Sequence, residues 1–324
     1  MFAAFASSIN ADDPLSALAV SDRPEPPLVH GWTTVRMRAA SLNHHDLWSL
    51  RGVGLAADRL PMILGCDAVG LDEDGNHVII YPIVTEGSVG GDETMDRTRT
   101  ILSEKYQGTF AEYVSVPRRN LVPMPDGWSW EQAACLPTAW LTAYRMLAVR
   151  SGLKPGNTVL VQGAGGGVST ACIALARAMG LRVWATSRDE AKRAKSLAIG
   201  AHAAFEPGQR LPDRVDAVME TVGQATWSHS LKALRPGGVI VVSGATSGPN
   251  PPADLARVFF LQLSVVGSTM GTLQDLHDLV ALCSVSGVRP IIDAEIPLRE
   301  ARTAFERLAA GDVFGKIVLT NQTN

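Results

Sequence analysis

NTVLVQGAGGGVSTACIALARAMGLRVWATSR, residues 157–188, decides the fold. Thr158 to Gln162 is a short β-branched and apolar run, the pattern of a buried parallel strand. Gly163, Gly165, Gly166 and Gly167 follow, and then Val168, Cys172, Leu175 and Met179 recur at the spacing of one helix face. Gly180 is placed to end that helix, and Arg182 to Thr186 is a second apolar strand that leads to Ser187 and Arg188. Strand, glycine turn, helix, strand is one right-handed crossover unit. In such a unit glycines let the backbone approach a pyrophosphate, and the helix N-terminus offers it unpaired N–H groups and a positive dipole end. A glycine cluster alone also occurs in tight turns of other α/β domains; the flanking strand and helix make this one a dinucleotide site.

The alternation continues downstream. Ala201–Phe205, Asp216–Glu220, Val239–Ser243 and Leu263–Ser268 read as strands, with helices over Thr226–Leu234 and Ala253–Leu261 and a strong turn at Arg235-Pro236-Gly237-Gly238. About six strands is the size of a complete doubly wound domain. Upstream, Gly31–Ala40, LPMILGCDAVG (residues 60–70), DEDGNHVIIYPIV (72–84) and Gly108–Pro117 are short strands punctuated by glycine and proline, which suggests a barrel-like β domain. Thr85–Gln107 reads as a long polar loop, and Trp128–Arg150 as a helix that Pro137 breaks in two. A strand after Pro290, a helix over Glu300–Ala310 and a final strand over Gly315–Thr320 fall outside the six-strand set and are expected to rejoin the first domain.

Composition narrows the class. The 324 residues suffice for two domains, and the net charge of −3 comes with no basic stripe, so nucleic acid is an unexpected partner. There is no apolar run of membrane-spanning length and no basic leader at the N-terminus. Cys66, Cys135, Cys172 and Cys283 are scattered without a CxxC, as expected of a reduced cytoplasmic protein.

NHHD at 43–46, GCDAVG at 65–70, LPTAWLTAY at 136–144, the GAGGGV turn, METVG at 219–223, LRPGGVIVVSG at 234–244, VVGSTMG at 265–271 and the closing FGKIVLT at 314–320 occur in one order. Together they resemble the medium-chain dehydrogenase/reductase superfamily, and within it the zinc-independent quinone-oxidoreductase-like branch, over nearly the whole chain. The resemblance implies an α/β protein: a GroES-like β-rich catalytic domain (1–124 and 290–324), a six-stranded doubly wound Rossmann domain (125–289), an active site between them, and a homodimer. The apolar run Val258–Gly271 would supply an edge strand and an apolar patch for that dimer.

In zinc-dependent relatives a Cys, a His and a third ligand hold the catalytic metal. Here Asn43, Cys66 and Thr138 stand at those places, and Asn and Thr are poor zinc ligands. The 85–107 loop carries none of the four cysteines of a structural zinc site. No metal is therefore expected; a site rebuilt from Cys66, His45 and Asp46 or Asp67 is the alternative. Without a Lewis acid the hydride acceptor must already be electron-poor: a quinone or an α,β-unsaturated carbonyl. A zinc alcohol dehydrogenase with an atypical site, and an NADPH-binding sensor without turnover, are the competing readings.

The second strand ends in Thr186-Ser187-Arg188, with Lys192 and Arg193 a turn later, and no acid precedes Asp189. A hydroxyl with cations suits a ribose 2′-phosphate, so NADPH is the expected cofactor, although the same residues also suit a solvated helix face. The resemblance places Val222, Gly223, Ser243, Gly244, Ser268, Thr269 and Met270 at the nicotinamide half of the groove, and Lys316 at cofactor or cleft. It also offers Asn43, His45 and Asp46 as catalytic residues, with His45 a candidate proton donor and His44 facing the cofactor phosphates. Trp48, Cys66, Trp140 and Tyr144 are expected to wall the substrate pocket. Ser169 replaces the third glycine of the turn.

Overall fold

The computed structural model describes residues 1–27, 29–86 and 91–321. By its contacts the chain divides into one unit of Met1–Thr138, Thr272–Ala281 and Ile292–Asn324, and a second of Ala139–Gly271 and Leu282–Ile291. From sequence the boundaries lie near residues 125 and 290. The first unit takes in more because helix Trp130–Ala134 packs on strands Trp32–Ser41 and Asp67–Leu71.

The second unit is the doubly wound fold. Six parallel strands stand in the order Ala203–Phe205, Arg182–Thr186, Thr158–Val161, Val215–Glu220, Leu234–Val242 and Ser264–Gly267. The chain winds outward from Thr158–Val161 to one edge, then returns and winds to the other, so the switch lies between Thr158–Val161 and Val215–Glu220. Gly163 sits just past that point with φ of +68°, and a Cβ there would lie 2.4 Å from Val222 Cγ2. Only glycine lets the turn pass this close. Gly166 caps helix Gly167–Ala178, and a Cβ on it would meet nothing nearer than 3.7 Å, so its outer face is open. Ser169 is buried and its hydroxyl donates to the Gly166 carbonyl at 3.0 Å, so the missing third glycine does not disturb the helix start.

Arg235-Pro236-Gly237-Gly238 is not a free turn. Leu234–Val242 runs as one strand, and these residues form an irregularity between the partner pairs Val215↔Leu234 and Ala217↔Val239. Pro137 does not split a helix into two separate pieces either. Leu136–Trp140 forms a π-helical turn, a wider coil that accommodates the proline's missing N–H.

Buried polar side chains tie the strand ends together. Glu220 Oε1 accepts from the backbone N–H groups of Val222 (2.9 Å) and Gly223 (3.0 Å), Thr226 Oγ1 donates to the carboxylate at 2.8 Å, and Ser230 Oγ donates to Oε2 at 2.6 Å. Gln162 donates to Ser230 Oγ (3.0 Å) and accepts from Thr186 Oγ1 (2.6 Å), which in turn accepts from Gly163 N (3.3 Å). Gln162, Thr186, Glu220 and Ser230 are all fully buried.

The first unit is β-rich, as expected. Leu121–Pro123, His77–Ile80, Asp67–Leu71, Trp32–Ser41, Lys316–Thr320 and Ile292–Pro297 form one sheet in that order, and Tyr113–Pro117 also pairs with Trp32–Ser41. The C-terminal strands do rejoin this unit: Lys316–Thr320 runs antiparallel to Trp32–Ser41 and parallel to Ile292–Pro297. Met37, Leu50, Leu64, Phe110 and Phe305 anchor its core, the two phenylalanine rings edge to face at 6.0 Å. A small sheet of Leu18–Asp22, Phe2–Ala6 and Met62–Ile63 covers one side. Part of the polar 85–107 loop is tied down where Ile83–Val84 pairs with Thr100–Ile101; residues 87–90 lie outside the described residues.

Glu220→Ala would leave two backbone N–H groups and two hydroxyls without their charged acceptor. Urea denaturation is expected to show a stability loss on the order of 3 kcal/mol, with Glu220→Gln costing less; an Ala variant within about 1 kcal/mol of wild type would contradict this role for the network.

Candidate active site

The first unit gathers the NHHD segment, GCD and the closing lysine. Strand Trp32–Ser41 ends at Leu42, and helix His44–Leu50 begins immediately after Asn43. Asp46 fixes that start: Oδ2 accepts from Asn43 N at 2.7 Å and Oδ1 from Gly65 N at 3.1 Å. Burial pushes the Asp46 carboxyl up to about 6. Both oxygens serve the backbone, so Asp46 joins the NHHD turn to the GCD turn.

Asn43 uses both ends of its amide. Oδ1 accepts from Lys316 Nζ at 2.6 Å, and Nδ2 donates to Asp67 Oδ2 at 2.8 Å and to Ser41 O at 3.3 Å, with Cys66 Sγ at 3.7 Å. Lys316 Nζ also donates to Leu42 O at 2.5 Å and lies 3.6 Å from Asp67 Oδ2; its side chain is 2 % exposed. Ser41 Oγ adds a 2.7 Å bond to Asp67 Oδ2. Asp67 is fully buried and its Oδ1 has no partner among the described residues. Cys66 Sγ lies 3.4 Å from Thr138 Oγ1. Burial, with the Asp67 and Asp46 carboxylates beside it, pushes the Cys66 thiol well above its ordinary value.

His45, in the helix's first turn, contacts Glu104 Oε1 through Nε2 at 3.1 Å, while its Nδ1 is buried without a partner among the described residues. Glu104 Oε2 is fixed by Ile101 N at 3.0 Å and Thr100 Oγ1 at 3.2 Å. Gly54 makes room for this pair, since a Cβ there would stand 2.9 Å from Glu104 Oε1. Burial alone pulls the His45 pKa down, but the hydrogen bond to Glu104 and the carboxylates of Asp46, Glu104 and Asp67 outweigh it and raise it above 6.5. His44 and Trp48 are exposed on the same helix.

Two members of the expected substrate wall do not reach a surface. Cys66 and Trp140 are fully buried, so neither presents a surface. Trp140 is a large apolar ring in a helical run of small residues and fills core instead. Tyr144 is partly exposed in the second unit. Lys316, expected at cofactor or cleft, is turned inside the first unit, because a buried ammonium must be surrounded by oxygens.

In the second unit the glycine turn carries Gly163, Gly166, Gly167 and Val168. Val222 and Gly223 end the neighbouring strand, where Glu220 holds their N–H groups. Ser243 and Ser268 each have a buried hydroxyl with no partner among the described residues, and Gly244 and a buried Met270 adjoin them. At the end of Arg182–Thr186, Ser187 is buried and Arg188 exposed. Arg193 donates to the carbonyls of Ser187 (2.8 Å) and Arg188 (3.2 Å), and Lys192 N bonds the Asp189 carboxylate at 3.1 Å.

Two family models match: an alcohol dehydrogenase GroES-like domain over residues 29–126 and a zinc-binding dehydrogenase domain over 167–284. A crystal structure of an NAD-dependent alcohol dehydrogenase superposes with a TM-score of 0.91 at 33 % identity, covering 99 % of this chain and 100 % of the other. The chain belongs to the zinc-type alcohol dehydrogenase-like family of medium-chain dehydrogenases/reductases. An alcohol dehydrogenase of Geobacillus stearothermophilus is 28 % identical over 93 % of this chain and 96 % of its own length, and an acryloyl-coenzyme A reductase of Metallosphaera sedula is 28 % identical over 91 % and 94 %. The protein is an NAD(P)-dependent oxidoreductase. The narrower quinone-oxidoreductase branch is not singled out, since alcohol dehydrogenases are among the relatives.

The family implies a nicotinamide dinucleotide and, in its zinc-binding members, a metal. The dinucleotide fits: the open face of Gly166, the close Gly163–Val222 approach and the helix N-terminus at Gly167 form a place for a pyrophosphate. Zinc does not fit. Asn43 and Thr138 are poor ligands, and an ammonium already stands at Asn43 and Asp67. One group of ligand types, His45, Asp46 and Cys66, has atoms within 4.8 Å of one another. Its Asp46 oxygens are both taken by backbone N–H groups, and His45 Nε2 by Glu104.

Glu104, Glu220 and Gln162 are the supporting residues that motif reading missed, and Arg193, read there as a cation for a 2′-phosphate, holds the turn by its carbonyls instead. Glu220 was within reach, as the acid of METVG directly before a glycine turn; Glu104 sits in a polar loop with no pattern to mark it.

Burial works against the Glu104 carboxylate, but its hydrogen bond to His45 holds its pKa below 4.5, while that of His45 lies above 6.5. The pair therefore stabilises the fold most between about pH 4.5 and 6.5 and loses that contribution as pH rises through the folded His45 value or falls through the folded Glu104 value. Glu104→Gln should lower the His45 pKa in an NMR titration. The melting-temperature gap to wild type should narrow above pH 7; an unmoved His45 titration would rule the pairing out.

Proposed function

We propose that the protein is an NADPH-dependent, metal-independent reductase of an electron-poor acceptor, foremost an α,β-unsaturated carbonyl compound and in a second class a quinone. The carrying observation is the centre itself: where zinc-binding relatives place ligands, this chain has Asn43, bonded to a buried lysine, and a Cys66–Thr138 contact. Such a centre has no open Lewis acid to polarise a simple aldehyde. An activated alkene needs less help, because hydride at its β-carbon leaves the charge delocalised over the carbonyl. The acryloyl-coenzyme A reductase of Metallosphaera sedula is a relative of matching length, which supports this choice.

When bound, the nicotinamide supplies the hydride from C4. Gly163, Gly166, Gly167 and Val168 would hold its pyrophosphate, and Val222, Gly223, Ser243, Gly244, Ser268 and Met270 would take the nicotinamide half. The unpaired hydroxyls of Ser243 and Ser268 are available to it. His45, its pKa raised by Glu104, holds the proton that the reduced product takes up. Asn43 positions rather than reacts, since its amide is already spent within the centre.

NADPH is favoured over NADH by Arg188, exposed at the strand end with no acid beside Ser187. The four cysteines are all unpaired and buried, which supports a reducing, cytoplasmic setting, and no helix among the described residues is long and apolar enough to cross a membrane. We also propose a homodimer through the edge strand Ser264–Gly267 and helix Leu255–Phe260, which expose Val265, Leu255, Phe259 and Phe260, the last at 80 %.

An enone and quinone screen with NADPH, read as loss of its absorbance, is expected to find turnover in protein free of zinc by elemental analysis. Stoichiometric zinc with alcohol oxidation would replace the proposal with an atypical alcohol dehydrogenase. Arg188→Ala should raise the KM for NADPH by about tenfold or more and leave that for NADH nearly unchanged. Phe260→Asp should convert the dimer to monomer in light scattering; an unchanged mass would discard this interface.

A further inference from the structure

The hydrogen bonds around Glu220 have a direction, and one histidine helps to set it. His229, half-buried on helix Gln224–Ala233, places Nε2 2.9 Å from the Gln209 carbonyl. A carbonyl only accepts, so Nε2 carries the proton. Nδ1 of the neutral ring is then an acceptor, and it takes Gln162 Nε2 at 3.1 Å. The other Nε2 hydrogen of Gln162 goes to Ser230 Oγ, whose own proton goes to Glu220 Oε2. Gln162 Oε1 accepts from Thr186, and Thr186 Oγ1 accepts from Gly163 N. The far side of the ring leads to the turn that carries Arg188. Gln209 is closed on Glu206 by a bond from Glu206 N to its Oε1 (3.0 Å) and from its own N to Glu206 O (3.2 Å). Glu206 meets Arg193, which holds the carbonyls of Ser187 and Arg188. His229 thus stands between the glycine turn and the turn after the second strand.

We propose that His229 is a pH-sensitive positioning residue for the dinucleotide: its uncharged ring holds the Gly163 turn ready for the cofactor, and protonation loosens that turn. The proposal rests on the dinucleotide site at the glycine turn and holds whichever acceptor is reduced. A protonated ring is a donor at both nitrogens. The Gln209 carbonyl still accepts from Nε2, but Nδ1–H then faces the Gln162 N–H. Turning the Gln162 amide over does not repair this. Its oxygen would meet Ser230 Oγ, whose proton is committed to Glu220, and its nitrogen would donate to Thr186, whose proton would lose its acceptor. The mismatch passes to Thr186, whose hydroxyl accepts from Gly163 N and whose carbonyl accepts from Ala164 N at 2.7 Å. Burial pulls the His229 pKa below 6.5; the Gln209 carbonyl and Glu220 act the other way, and Lys232 on the same helix adds to the lowering. On the loop packed against the ring, Glu206 is paired with Arg193, and Arg210 is exposed. A nucleotide that favours the neutral ring lowers the His229 pKa further by linkage, and its affinity falls as pH falls through that value.

The experiment measures calorimetric affinities of NADP⁺ and NAD⁺ for full-length wild type and His229→Asn at pH 8 and pH 5, with circular dichroism to confirm the fold at both. The asparagine amide oxygen gives Gln162 an acceptor near the place of Nδ1 and does not titrate. Wild type is expected to bind either nucleotide about fivefold or more weakly at pH 5 than at pH 8, and His229→Asn to lose clearly less. The 2′-phosphate of NADP⁺ also titrates in this range, but alike in both proteins, and NAD⁺ lacks it. Equal pH dependence in the two proteins, with binding intact at pH 8, would overturn the proposal and leave the dinucleotide site standing. Wild type that binds neither nucleotide at pH 8 would overturn both. If His229→Asn does not fold, imidazole nitrogen NMR of wild type decides. His229 should be the Nε2–H tautomer at pH 8, and its titration midpoint should move to lower pH when NADP⁺ saturates the protein. The other tautomer, or a midpoint that NADP⁺ leaves in place, would overturn the proposal.

Discussion

A buried ammonium cannot be left without oxygens around it, and this requirement organises the first unit. Lys316 finds them at residues more than two hundred and seventy positions earlier, on Leu42 and Asn43. The register of the sheet makes the meeting possible. Lys316–Thr320 lies against Trp32–Ser41, which lies against Asp67–Leu71. A slip of one residue in the closing strand would turn Lys316 to the opposite face, leaving Asp67 buried beside no cation. The ion pair is thus a register lock as well as a charge centre, and the cost of desolvating it falls on misaligned pairings more heavily than on the native one.

The second unit is fixed by the opposite charge. Glu220 is a fully buried carboxylate met by donors alone: two backbone N–H groups and two hydroxyls. Through Ser230, Gln162 and Thr186 the same network reaches Gly163, the residue whose missing side chain admits the close approach to Val222. Each unit therefore places buried charged groups beside the turns that carry its candidate site. Charged hydrogen bonds to a strand end hold these turns in place.

What could be read from the sequence follows from how local the cause is. The six-stranded doubly wound set was legible because strand, glycine turn and helix each announce themselves within a few residues. The β-rich first unit and the return of the closing strand were legible for the same reason. The conformation of Arg235–Gly238 was not, because a Pro-Gly-Gly run codes for a turn locally while strand pairing on both sides absorbs it as an irregularity. The centre itself was only half legible. The family pattern pointed to Asn43, Cys66 and Thr138, but the partner that explains them, Lys316, is defined by a tertiary contact that no spacing reveals. Glu104 was hidden likewise: an acid in a polar loop carries no mark until Gly54 is seen making room for it.

The cations after the second strand show how much a contact changes a reading. Arg188, Lys192 and Arg193 look equivalent in sequence, three positive charges near a ribose. In the fold they are not. Arg193 spends its guanidinium on the carbonyls of Ser187 and Arg188 and on Glu206, so it shapes the turn. Asp189 caps the next helix with its carboxylate on Lys192 N. Arg188 is left exposed at the tip, carried on backbone that Arg193 stiffens. The proposed preference for a 2′-phosphate therefore rests on Arg188 and not on Arg193, whose guanidinium is already engaged.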